Sequence, residues 1–266
     1  MRNAIISIWM WAAAATLIVA WYPLLAVVRL FDRDPIRYRT GRLFRRLGAA
    51  LSHLNPSWDI EVQGDFPEEP RAGFIVVCNH LSHADVPIIS RLPWEMKWVA
   101  KKELFGLPVA GHMMRMADDI DVDRTNRRSR SQVLVKARRT LAHDCPAMFF
   151  PEGTRSRDGN VHRFSIGPFA LAIREQVPVL PLAIDGTQDA LPKHSWKFSE
   201  PDAPMRLKVL PMIETTGLEE DDAEALKDRV RDRVIAQLAQ WRGVPPDDVD
   251  ALAPRKESVK PPAEVD

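Results

Sequence analysis

A histidine and an aspartate stand five residues apart in Asn79-His80-Leu81-Ser82-His83-Ala84-Asp85, directly after the apolar run Phe74-Ile75-Val76-Val77-Cys78. Those residue types make a general base and its partner. An alcohol is a poor nucleophile at neutral pH, and a base that takes its proton as the bond forms is worth roughly 10²–10⁴-fold in rate. Imidazole suits the task because it titrates near neutrality. A carboxylate on the other ring nitrogen fixes the tautomer and stabilises the imidazolium. Neighbours on one helix face are three or four residues apart, so a spacing of five does not fit a continuous helix. It fits His80 in the turn after a strand and Asp85 in the first turn of the next helix. Ser82 is then the expected helix cap, and Pro87 is tolerated in a first turn. Two other readings use the same residues. His80, His83 and Asp85 form a His-x-x-His plus carboxylate set for zinc, although no further histidine or cysteine completes a recognisable spacing. Cys78 and His80 form a nucleophile–base pair, although a cysteine inside an apolar strand ordinarily serves packing.

A second signature, Phe150-Pro151-Glu152-Gly153-Thr154-Arg155-Ser156-Arg157, follows the apolar run Ala147–Phe150. Gly153 lets the backbone approach a ligand closely. Arg155 offers a planar fork of donors suited to phosphate oxygens. Upstream, Asp121-Val122-Asp123-Arg124 has the same form, an apolar strand end and then an arginine. Two arginines from separate loops can clamp one phosphate, whereas either alone reads as a solvated charge. Arg127, Arg128, Arg130, Arg138 and Arg139 read as a helix face.

These residues need a scaffold that delivers several loops to one edge. Apolar runs bounded by turn signals recur at Phe74–Cys78, Trp98–Ala100, Ala147–Phe150, Val179–Ile184 and Leu207–Ile213, with helical stretches such as Ser129–Ala142 and Pro168–Glu175 between them. The expected fold is α/β, a mixed central sheet flanked by helices. A last helix is expected over about Glu219 to Arg242. Its apolar residues Leu226, Val230, Val234, Leu238 and Trp241 recur at helical spacing, its first turn is acidic, and Gly243 and Pro245 stop it.

Ahead of this domain, Asn3 to Val28 carries no charged residue. A membrane-spanning helix needs about 20 apolar residues, and the run exceeds the core of a signal peptide. Trp9, Trp11, Trp21 and Tyr22 suit interfacial depth, and Pro23 is a candidate kink. Arginines at 29, 33, 37, 39, 42, 45 and 46 follow, interleaved with Ile36, Leu43, Phe44, Leu47, Leu51 and Leu54. The positive-inside rule keeps this flank and the domain after it cytoplasmic. An arginine-rich amphipathic helix on anionic lipid is expected, the alternative being a helix packed on the domain. Counting leaves two orientations open for the first segment, spanning the bilayer or dipping into one leaflet. Three parts result: an N-terminal membrane anchor and amphipathic helix over 1–57, the α/β domain with its C-terminal helix over 58–243, and a proline- and charge-rich tail over 244–266 expected to lack structure.

Composition is that of a globular chain: 266 residues, 45% apolar and 27% charged. A net charge of +1 excludes bulk electrostatic binding of nucleic acid. Two cysteines make neither a disulfide framework nor a metal finger.

Taken together, Asn79-His80-x4-Asp85, Asp123-Arg124, Phe150-Pro151-Glu152-Gly153-Thr154-Arg155-Ser156 and Val177-Pro178-Val179-Leu180-Pro181 stand in the order and approximate spacing of four acyltransferase blocks. The chain resembles the PlsC-type 1-acyl-sn-glycerol-3-phosphate acyltransferases of the glycerolipid acyltransferase superfamily, over roughly residues 55 to 215. The stretch Ala100 to Pro108 is similar to the family's segment between the first two blocks. The resemblance implies a membrane-bound enzyme, on the cytoplasmic face of the inner or plasma membrane, that acylates the sn-2 hydroxyl of lysophosphatidic acid to give phosphatidic acid. His80 and Asp85 are then catalytic. Arg124, Glu152, Gly153, Thr154 and Arg155 are substrate-binding, with Lys101 a further candidate for the same anion. Pro178 and its neighbours wall the acyl side. The donor is an acyl thioester on coenzyme A or acyl carrier protein, and neither metal nor bound cofactor is implied. Partners are the lysophospholipid, the thioester and membrane lipids. Three alternatives remain: another lysophospholipid or a lyso-aminolipid as acceptor, a metal-dependent lipid hydrolase built on His80, His83 and Asp85, and a catalytically silent lipid-binding scaffold, against which intact His80 and Asp85 argue.

Overall fold

The computed structural model describes residues 2–199 and 201–254, with side chains from residue 4 onward. Two helices come first, α1 (Arg2–Phe31) and α2 (Tyr38–Ser52). Then β1 (Ile60–Gly64), β2 (Ile75–Cys78), α3 (Asp85–Ile89), β3 (Lys97–Lys101), α4 (Ala110–Met116) and β4 (Ile120–Val122) follow. The chain continues through α5 (Arg127–Leu141), β5 (Ala147–Phe149), α6 (Gly167–Arg174), β6 (Val179–Asp185), α7 (Thr187–Ala190), β7 (Met205–Val209) and α8 (Ala223–Arg242).

The strands form one seven-stranded sheet in the order β1-β7-β6-β2-β5-β3-β4. All neighbours are parallel except β6 and β7, so the sheet is mixed and the fold is α/β as expected. β2 lies between β5 and β6, and all four of its residues are buried. Alternation of side chains along a strand builds two cores from it. Ile75 and Val77 face α5, α6 and α8. Val76 and Cys78 face α3 and the aromatic cluster of Trp94, Trp98 and Phe198.

The connection leaves β2 toward β3 on one side of the sheet, and later crosses from β5 to β6 on the other. Strand order reverses there, and in such sheets the crevice outside the carboxyl ends of the strands is where ligands bind. The carboxyl ends of β2, β5 and β6 lie side by side at that point.

The N-terminal helices correct one expectation. α1 runs unbroken through Pro23 and lies against the domain at both ends. Near its start, Trp11 Nε1 donates to Trp196 O at 2.8 Å, and Phe198 N donates to Ser7 Oγ at 2.9 Å. Near its end, Leu25 is fully buried among α2 and α4. The opposite stripe, with Ile5, Ile8, Trp9, Val19, Val27 and Leu30, is exposed and apolar. α2 does not present all its arginines to lipid. Arg45 is buried, and Arg42 donates to the carbonyls of Leu92 and Trp94. Apolar spacing alone cannot tell an arginine that meets lipid from one that meets a buried carboxylate.

The second correction concerns the tail. Pro246–Asp248 forms a 3-10 turn, and Val249 is fully buried. Val161 N donates to Val249 O at 2.9 Å, and the Asp250 carboxylate accepts from Arg231 of α8. One apolar plug and one partner for a buried arginine outweigh the polar composition that points to disorder. Residues 255–266 of the expected tail lie outside the described residues.

Candidate active site

His80 stands just beyond β2, and Asp85 is the first residue of α3. His80 Nδ1 lies 2.7 Å from Asp85 Oδ2. The same carboxylate oxygen accepts from Leu81 N at 2.8 Å and Ser82 N at 3.0 Å, and the other accepts from the Thr187 hydroxyl. Asp85 itself therefore closes the turn. Ser82 does not cap α3, contrary to expectation; its hydroxyl accepts from Ala84 N and donates to Leu191 O. Asn79 extends the ladder beyond β2, giving and receiving 2.9 Å bonds with the backbone of Ile184 on β6.

The loop after β5 wraps the histidine. Glu152 Oε1 accepts from His80 N at 2.8 Å, and Ser156 N donates to His80 O at 2.7 Å. Both backbone groups of His80 are thus held by one loop. Phe150 stacks on the imidazole with ring centroids 3.9 Å apart. With Nδ1 taken by Asp85 and the ring fixed from both sides, Nε2 is the nitrogen left to work. It has no hydrogen-bond partner among the described residues, and 12% of the side chain is exposed.

Arg124 comes from the turn between β4 and α5. Asp123 shapes that turn by accepting from the backbone N–H and the hydroxyl of Thr125, while Asn126 caps α5 through Arg128 N and Ser129 N. The Arg124 guanidinium donates to Gly153 O, and Arg130 Nη1 donates to Arg124 O at 2.7 Å. Gly153 has a φ of +70°, where a side chain is strained. Lys101 ends β3 on the same edge, but its ammonium is paired with Glu103 at 3.0 Å. Arg155 has no ion-pair partner among the described residues. Its charge falls on the neighbouring His83, whose pKa is lowered to about 4, first by burial and then by Arg155.

A cleft of about 610 Å³ opens beside this centre. Arg124, Arg127 and Arg130 form its rim, and Val99, Val122, Leu134, Phe149, Phe150 and Ile166 its apolar floor. Glu152, Gly153 and Thr154 close the end toward His80. A zinc set on His80, His83 and Asp85 finds no support. Both Asp85 oxygens already accept hydrogen bonds, and no metal-binding group of three side chains is gathered among the described residues.

Glu152 latches the turn around His80. Its second oxygen accepts from His162 N at 3.1 Å, yet burial outweighs both backbone donors and raises the pKa from 4.5 to about 7. The folded protein then holds this proton more tightly than the unfolded chain. The contribution to stability is full below pH 4.5 and is lost as pH rises through 7. At about 1.4 kcal/mol per pH unit, the loss approaches about 3 kcal/mol. Glu152→Gln removes the titration. Urea melts at pH 5 and pH 8 should show the stability of wild type relative to the variant falling by about 2–3 kcal/mol at the higher pH. An unchanged difference would rule out the raised carboxyl.

Thr187 escapes the sequence, as do the holding roles of Asn79, Ser156 and Glu152, residues that stand in its motifs. Gly186-Thr187 after the strongly apolar β6 was the available signal for Thr187, because that position mirrors Asn79-His80 after β2.

The profile of the family described as Acyltransferase matches residues 59–185. The sheep 1-acyl-sn-glycerol-3-phosphate acyltransferase alpha (Ovis aries) is 32% identical over 219 residues, 81% of this chain and 75% of that protein. The Limnanthes douglasii 1-acyl-sn-glycerol-3-phosphate acyltransferase is 30% identical over 222 residues, 83% and 77% of the two chains. The crystal structure of the 1-acyl-sn-glycerophosphate acyltransferase PlsC from Thermotoga maritima superposes with a TM-score of 0.72 at 27% identity, over 90% of this chain and 98% of that one. Shared sequence over three quarters of the relatives' length and a shared fold over nearly all of PlsC agree: the chain belongs to the 1-acyl-sn-glycerol-3-phosphate acyltransferase family.

Proposed function

We propose that this protein transfers an acyl group from a thioester to the sn-2 hydroxyl of 1-acyl-sn-glycerol-3-phosphate, giving phosphatidic acid. The observation that carries the reading is a buried-carboxylate–imidazole pair whose ring stacks on Phe150, a residue of the arginine-rimmed apolar cleft. An amphiphile with a phosphate next to its free hydroxyl matches that cleft in both halves. The relatives' names point to the same acceptor.

In this mechanism His80 Nε2 takes the hydroxyl proton as the oxygen attacks the thioester carbonyl. The C–O bond forms and the C–S bond breaks as the tetrahedral intermediate collapses. The imidazolium returns its proton to the departing thiolate. Asp85 stabilises the imidazolium in between. A thioester is already activated, so the enzyme need supply no nucleophile of its own. Arg124 and Arg155 hold the phosphate with charge-assisted bonds. Lys101 becomes available to it only by leaving Glu103. Coenzyme A or acyl carrier protein carries the donor.

The membrane reading rests on α1. Its apolar stripe points away from the domain while its other face is docked at both ends. A helix of 30 residues is about 45 Å long, and a helix docked in this way lies along the protein. Burial of the stripe in one leaflet follows, with the arginine-bearing flank on the cytoplasmic side.

The test is acyl transfer by the purified protein in liposomes with labelled acyl-CoA or acyl carrier protein and a panel of lysolipids. Phosphatidic acid is expected from 1-acyl-sn-glycerol-3-phosphate. Product from another lysolipid alone would change the acceptor and keep the chemistry. No product from any acceptor with either donor would overturn the reading. Arg155→Ala should raise the KM for the lysolipid about 10-fold or more with kcat largely kept, as for a contact made equally in ground and transition states.

A further inference from the structure

We propose that Lys193, on the loop between α7 and β7, is a third cation of the acceptor-phosphate site, and that α1 holds it in place. The inference rests on the acyltransferase reading above and adds a residue outside all four sequence blocks.

Lys193 Nζ donates to Arg155 O at 2.6 Å and to Thr154 Oγ1 at 3.2 Å. Its ammonium therefore sits directly on the loop that holds His80. An ammonium has three donors, so one remains. No carboxylate pairs with Lys193 among the described residues. Its charged neighbours are Arg157, Arg155 and the Glu152 carboxyl; burial and then the two cations lower its pKa, outweighing the opposing pull of Glu152. Cations in excess of the carboxylates near them destabilise a free protein and favour an arriving anion. Thr154, which accepts from Lys193, lines the cleft, and the same loop bonds His80 O through Ser156 N one residue after Arg155. A phosphate monoester one carbon away from a hydroxyl at His80 is the chemistry that satisfies these cations.

The loop bearing Lys193 is held at three places. Leu191 O accepts from Ser82 of the catalytic turn at 2.7 Å. Trp58 Nε1 donates to Ser199 O at 3.2 Å. The third hold is α1: Ser7 Oγ receives Phe198 N, Trp11 Nε1 reaches Trp196 O, and the Trp11 and Phe198 rings meet at 5.2 Å. The same helix exposes the apolar stripe. A helix seated in lipid thus fixes the far end of the loop whose near end carries the cation.

The test is Lys193→Met. A lost hydrogen bond to a charged group corresponds to about 10- to 100-fold. The KM for 1-acyl-sn-glycerol-3-phosphate should rise by that factor, with the KM for the acyl donor within about 2-fold of wild type. Lys193→Arg should restore most of the loss. Binding measured without turnover, in the His80→Ala background, should weaken by the same factor for lysophosphatidic acid and not for monoacylglycerol. Ser7→Ala with Trp11→Phe should raise the same KM, and by less in the Lys193→Met background, since residues acting through one group are not additive. An unchanged KM for lysophosphatidic acid, or equal weakening of the neutral analogue, would overturn the proposal. Failure of wild type to use any phosphate-bearing acceptor would instead overturn the function on which it rests.

Discussion

Replacing His80 by alanine should lower kcat by about 10²- to 10⁴-fold while leaving the unfolding transition close to wild type. The imidazole stacks on Phe150 of the cleft floor, but the turn around it is held through the His80 backbone. The His80 N–H and C=O stay bonded to Glu152 and Ser156 whatever the side chain. Activity and fold therefore separate at this position, and wild-type kcat in the variant would end the general-base mechanism. Asp85→Asn sharpens the test. Leu81 N and Ser82 N both point at Asp85 Oδ2, so an asparagine must place its oxygen there and its amide toward Thr187, whose hydroxyl can accept. The His80 Nδ1 bond survives that exchange. Only the negative charge is lost, and the expected fall in kcat is the smaller one of a charged hydrogen bond made neutral, about 10- to 100-fold. A fall as large as that for His80→Ala would mean that the asparagine has turned and reversed the histidine tautomer.

The largest expected effect on stability lies outside the cleft lining. Arg45 of α2, Glu95, Lys97 of β3 and Asp119 form a buried quartet of two cations and two anions. Arg45 meets Asp119 at 2.5 Å, and Lys97 meets Glu95 at 2.9 Å. Lys97 also donates to Ala117 O, and Asp119 accepts from Trp98 N at 3.0 Å. The remaining Arg45–Glu95 pairing is long, at 3.7 Å. Removing one charge leaves another uncompensated in low dielectric, which costs about 3–5 kcal/mol. Asp119→Ala also strands the Trp98 N–H. The variant should lose stability in that range in a urea melt. Asp118→Ala is the internal control. Its carboxylate pairs with Arg139, and both side chains are more than a third exposed, so the cost should stay below about 1 kcal/mol. Equal losses for the two neighbours would refute the role given to the quartet.

The same quartet shows where sequence is legible and where it is not. Strand ends that carry chemistry are readable because apolar runs stop abruptly at them: Phe74–Cys78 before His80, and Ala147–Phe150 before Glu152. The acidic start and glycine stop of α8 are local signals as well. The observed helix spans Ala223–Arg242, with Glu220–Asp222 as a 3-10 turn ahead of it. What fails to show is pairing across the fold. Arg45 in an arginine-rich run looks like its neighbours, and only the distant Asp119 turns it inward. Thr187 and Lys193 take their meaning from Asp85 and Thr154, each remote in sequence. β1 is a short run, Ile60–Gly64, half covered and partnered by β7 at the other end of the chain. Residues 246–254 follow the same rule, their order resting on Val161 and Arg231. Local chemistry can be read along the chain, but partnership at long range cannot.

The two cysteines turn packing into a clock. Cys78 lies in β2 two residues before His80, and Cys145 just before β5; both are free and fully buried. Burial raises both thiols, and the thiolate is the reactive species. Each is therefore silent to alkylating reagents while its strand is closed and reacts only when that strand opens. The labelling rate at Cys78 measures how often the strand leading to His80 comes apart, with no substrate and no turnover. A cysteine placed on the open stripe of α1 would react against that quiet background, so its depth in a bilayer can be read by quencher or reagent access with both native thiols left in place.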